Sequence, residues 1–217
     1  MTSPRLRREA SPQGEEFSCN RYMDDILKIR LDLDEAITYG DFSRAKQLSQ
    51  MGLNVAKDKE LFGEIEYFKG QIEILNENHS KAIEHFDQAI RHNPNDGASY
   101  NDRALCMIEM GIIDDAFTYF DKGIEVEPDF ATIYHNKGWL LNKIGRHREA
   151  ISYFYKALEL EQYRAVTYEN LSDVYLQLDD YKSALEALYK ALNVLKPEYQ
   201  QIKEELLTKV KHIRNKV

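Results

Sequence analysis

Cysteine, proline and tryptophan are scarce in this 217-residue chain, and long apolar runs are missing. Its two cysteines, Cys19 and Cys106, are too far apart for a disulfide framework or a paired metal-ligand motif. A reducing compartment is therefore expected. No apolar stretch approaches the roughly 20 residues of a membrane span, and the N-terminus lacks the apolar core of a secretory signal. A cytoplasmic protein with no membrane contact is expected. Catalytic signatures are also missing: there is no Gly-rich phosphate loop, no H-E-x-x-H, no C-x-x-C and no G-x-S-x-G. The chain is thus read as no enzyme, with no catalytic residue and no cofactor. His85 and His92 lie two turns apart beside Glu84 and Asp87, but surface histidines are routine on such helices and no metal site is expected. Positive charge is in deficit, at a formal net charge of −8. Residues 1–22 carry net +1 and residues 196–217 net +3, so the body between them is −12. Such a body repels phosphate backbones, which argues against nucleic acid as a partner.

What the chain does have is a period. Shifting it by 34 residues aligns Ala82, Ala116, Ala150 and Ala184, then Phe86, Phe120, Phe154 and Leu188, then Ala89, Gly123, Ala157 and Ala191. Upstream of these, Gly70, Ala104, Gly138 and Ser172 align, as do Tyr100, Tyr134 and Tyr168. A fixed period of this length marks a helical repeat array. The clearest copy, Tyr134 to Leu160, reads as two amphipathic helices around a turn at Gly145, with small residues at Gly138 and Ala150 where the helices cross. Asn93-Pro94 and Glu127-Pro128 end second helices, since proline cannot continue a helix.

The elements Tyr100, Ala104, Ala116, Phe120 and Pro128, repeated as Tyr134, Gly138, Ala150 and Phe154, resemble the tetratricopeptide repeat family over residues 26–198. Departures are Glu66 at the early aromatic, Gln162 where the closing proline belongs, and a displaced Pro197. The resemblance implies an all-α fold, a right-handed superhelix whose inner groove is usually a protein- or peptide-binding surface. Expected boundaries are a flexible arm at 1–20, an array at 21–198 and a capping helix at 199–217. Within the array a divergent repeat at 26–59 precedes regular repeats at 63–96, 97–130, 131–164 and 165–198. Ala45 to Ala82 is 37 residues, so an insertion is expected near Lys59 to Phe62. The final segment has Tyr199, Ile202, Leu206, Val210 and Ile213 on one face, suited to covering the last repeat.

If the family's geometry holds, the inner wall carries Tyr67 and Phe68, then Asn101 and Asp102, then His135, Asn136 and Trp139, then Asn170 and Asp173. Asp102, Asn136 and Asn170 would form a ladder able to hydrogen-bond an extended peptide, or else to support neighbouring helices. Trp139, the only tryptophan, is either an anchor for a ligand or packing between helices. Family members that clamp a C-terminal carboxylate use Lys, Asn and Arg at positions where no register of this chain supplies cations. A neutral or basic extended segment is the expected partner. The alternative is a structural unit whose repeats self-associate into homo-oligomers.

Overall fold

A computed structural model of the protein describes residues 13–216, with side chains from residue 25 onward. Among the described residues there are eleven helices and no strand: α1 Gln13–Thr38, α2 Phe42–Asp58, α3 Phe62–Leu75, α4 His79–His92, α5 Gly97–Glu109, α6 Ile113–Val126, α7 Ala131–Lys143, α8 His147–Leu160, α9 Ala165–Gln177, α10 Tyr181–Val194 and α11 Gln200–Arg214. This is the all-α superhelical repeat read from the periodicity. The expected N-terminal arm lies outside the described residues up to residue 12, while residues 13–20 belong to α1.

Six connections share one turn chemistry. Gly40, Glu60, Glu77, Gly111, Gly145 and Asp179 all have positive φ, between 55° and 81°. Each lets the next amide reach back to the last helical turn, as Arg146 N does to Leu141 O at 2.8 Å. The connections from α4, α6 and α8 differ. There the residue after the helix leaves the helical region: Asn93 and Glu127 precede Pro94 and Pro128, and proline excludes that region for its predecessor, while Glu161 leaves it without a following proline.

Glu60 corrects the expected insertion. The α2–α3 connection is a tight turn of the kind found inside repeats, and the added length lies mainly in α2, which has 17 residues against 14 in α4. Packing explains why. A Cβ on Gly70 would meet the Phe86 ring at 2.7 Å, and one on Gly52 would meet the Phe68 ring at 2.3 Å. Both pairs are 16 residues apart, as are Gly138 and Phe154, so α2 packs on α3 as a first helix packs on a second. Phe68, Phe86, Phe120 and Phe154 are each 0% exposed, and losing such a ring costs about 3–5 kcal/mol. At the far end α11 lays Leu206, Val210 and Ile213 on Ala184, Leu188 and Ala191 of α10.

Candidate protein-binding site

Helices α3, α5, α7 and α9 carry the residues expected on the inner wall. Phe68 is not among those that reach it: its ring is buried on Gly52, one position round the helix from the wall. Tyr67 is 6% exposed and lies under the Arg30 guanidinium, 3.9 Å from the ring centroid. Asn101 and His135 are also buried.

The polar ladder is wired to itself. Gln71 and Asn101 donate to the two carboxylate oxygens of Asp102, Asn101 at 2.8 Å. Asn136 donates to Asn101 Oδ1 at 2.9 Å. One rung further, His135 Nδ1 lies 2.9 Å from Thr167 Oγ1, and Asn170 Nδ2 lies 3.2 Å from His135 Nε2. The Asn170 amide donates, so Nε2 is the acceptor and Nδ1 carries the proton given to Thr167. Burial, reinforced by the nearby Arg164 charge, pushes the imidazole down to about 3. These side chains therefore tie neighbouring first helices together across repeats.

An acidic centre lies where α1 approaches α3 and α5. Arg30 of α1 donates to Glu64 at 2.9 Å and to Asp96 at 2.7 Å, and all three side chains are largely buried. Burial opposes the Arg30 charge, but Asp96, Tyr67 and Glu64 outweigh it and raise its pKa. Glu64 keeps one buried oxygen without a partner. Asp102 stands nearby, its carboxyl pushed up to about 7 by burial, against the Asn101 bond and the Arg30 charge and with help from Asp34 and Asp96.

The C-terminal end of the wall is covered and joined to the beginning. Lys209 of α11 reaches Glu169 at 2.8 Å and Asp173 at 3.2 Å, so Asp173 is paired within the chain. Arg164, at the start of α9, donates to Asp34 of α1 at 3.1 Å. Glu35 accepts from Lys196 and, at 2.7 Å, from the Tyr199 hydroxyl. The Tyr39 and Tyr199 rings stack with centroids 4.0 Å apart. The superhelix thus closes into a ring. Trp139 remains part-buried on the wall, packed between two apolar clusters, with Lys143 Nζ 5.4 Å from its ring.

The sequence pattern did not single out Arg30, Asp34, Arg164 or Lys209. Register was the available signal for one of them: Asp96, Phe130 and Arg164 cap equivalent first helices at 34-residue intervals, so Arg164 stands where Asp96 does.

Residues 129–196 match the tetratricopeptide repeat family. No curated protein sequence matches the chain. Among solved structures, TTC0263, a thermophilic tetratricopeptide repeat protein of Thermus thermophilus, superposes with a TM-score of 0.66 at 17% identity, over 83% of this chain and 97% of that one. YrrB, a tetratricopeptide repeat protein with an unusual peptide-binding site, gives 0.53 at 16% identity, over 90% and 100%. MamA residues 41 to the end from Desulfovibrio magneticus RS-1 gives 0.54 at 20% identity, over 71% and 96%. At these identities the likeness concerns the fold. Residues 129–196 thus carry tetratricopeptide repeat sequence, and the described residues as a whole share the fold of tetratricopeptide repeat proteins.

Proposed function

We propose that this protein is a non-catalytic adaptor that holds a neutral-to-basic segment of a partner protein against its inner wall, with Trp139 at the contact. The fold is one that generally serves protein interaction. The observation that carries the finer reading is Arg30, a cation of the chain's own that the wall receives between Glu64, Asp96 and the Tyr67 ring. Asp34 and Asp102 lie near enough to add to the same negative field, which favours a partner's lysine or arginine. Asn136 and Asn170 shape the wall by holding its helices in register through Asn101 and His135, and keep their own Oδ1 atoms as acceptors.

Trp139 is the only tryptophan, so its emission reports on the site directly. Titration with synthetic peptides graded from acidic to basic is expected to give saturable emission shifts for neutral and basic peptides but none for acidic ones. In anisotropy with labelled basic peptide, Trp139→Ala is expected to weaken binding about tenfold or more, the usual scale for a hot-spot tryptophan. Equal binding by the variant, or preference for acidic peptides, sinks this reading. A second reading, association of copies through the N-terminal repeats, draws on Phe42 and Phe62, each 60% exposed. Light scattering that gives a monomer at every concentration disposes of it.

A further inference from the structure

We infer that the seam joining α1 to the start of α9 and to the α10–α11 connection is a gate, which must part before a basic partner segment can reach the inner wall. The inference rests on the binding reading above and adds its regulation.

The inward face of α1 is anchored: Arg30, Glu64 and Asp96 expose 16%, 17% and 10% of their side chains, and Ile26, Ile29, Leu33 and Ala36 join the apolar cluster of α2–α4. The seam turn meets the far end of the array through side chains alone, Asp34 being 41% and Lys196 55% exposed against 12% and 21% for their partners Arg164 and Glu35. None of the four apolar clusters spans the seam, and neither Tyr39 nor Tyr199 belongs to one. Cavities of about 440 Å³ and about 600 Å³ lie on either side of Tyr39, so the surfaces meet without close packing. Ion pairs that solvent reaches, as it does Lys196–Glu35, contribute little and weaken with salt. The seam is therefore the weak link of the ring, and parting it moves the α9–α11 end away from an α1 that stays seated.

A basic partner has a reason to favour the open state. Asp34 and Glu35 are held in the closed ring by Arg164 and Lys196, and parting the seam frees both carboxylates for the partner's cations. Contacts available in only one of two states are what shift a population. An acidic segment gains nothing from the same opening.

The test uses the full chain and the double variant Lys196→Met/Tyr199→Phe, which leaves Asp34 and Glu35 in place, with Lys196→Met alone as a second, milder replacement. Hydrogen exchange reads the seam, and anisotropy with a labelled lysine- and arginine-rich synthetic peptide reads access. The variants are expected to exchange faster at residues 34–41 and 196–201 but not at 82–90, and to bind the peptide about threefold tighter. Raised salt is expected to speed seam exchange in the wild type more than in the double variant. Unchanged seam exchange in both variants overturns the gate, as does faster exchange with unchanged peptide affinity. An open seam with no peptide bound by any of the proteins overturns the gate and the binding reading together, whereas tight wild-type binding with no seam response overturns the gate alone.

Discussion

His135 offers a stability measurement whose size follows from one geometric fact. Its Nε2 faces the donating Asn170 amide and its Nδ1 bonds Thr167, so protonation would set an N–H against an N–H inside a buried site. With burial holding the folded imidazole down at about 3, the ring is neutral in the folded chain at every pH above about 4. The unfolded ring titrates near 6.5. The unfolded state alone therefore takes up a proton as pH falls, so the contribution of His135 is intact above pH 6.5 and is lost progressively towards pH 3. At pH 5.5 the loss is about 1.4 kcal/mol, and at pH 7.5 it is below about 0.1 kcal/mol. The figure depends on the unfolded value, because any folded value well below 5 gives the same result. Urea unfolding followed by circular dichroism, run at both pH values on the wild type and on His135→Gln, isolates it, since other groups cancel in the difference. The wild type is expected to lose about 1.3 kcal/mol more than the variant between pH 7.5 and 5.5. Parallel pH dependence in the two proteins would refute a neutral, buried His135.

Asp102→Asn tests the opposite sign. The raised Asp102 carboxyl contributes stability that is complete below pH 3.8 and lost as pH rises through about 7, so the variant is expected to gain about 1–2 kcal/mol on the wild type from pH 5 to pH 8, part of the full linkage because two amides hold the ionised form. A flat difference between the two proteins contradicts it. Gly52→Ala and Gly138→Ala separate a tight crossing from a tolerant one in thermal unfolding. The added methyl at Gly52 meets Phe68 at 2.3 Å and is expected to cost about 1–3 kcal/mol. At Gly138 the ring is 3.1 Å away, and the helix preference of alanine, about 1 kcal/mol, brings the net change close to zero.

Most of the helical architecture was legible because it is local. Residues 34 apart repeat the same small-against-large contact, so α3 to α10 follow from Gly70, Phe86 and their equivalents. The position of the added length was less legible, because Glu60 occupies a left-handed turn that glycine usually marks. The 16-residue spacing of Gly52 and Phe68 was the signal that would have placed it. The inner wall was legible in its positions and less so in its bonding. Asn136 and Asn170 spend their donors on neighbouring repeats, which a single sequence position does not reveal. Ring closure had no local signature. Arg164 and Asp34 are 130 residues apart, and each reads as an ordinary surface charge until the curvature of the array brings them together.

The seam between first and last repeats bears on how the chain comes apart. An open solenoid frays from its ends, since each terminal unit has a neighbour on one side only. Here the two ends meet through Tyr39 and Tyr199, so each has a second neighbour for as long as the seam is shut. Unzipping from either end is thereby made to wait on one early event, the parting of that seam.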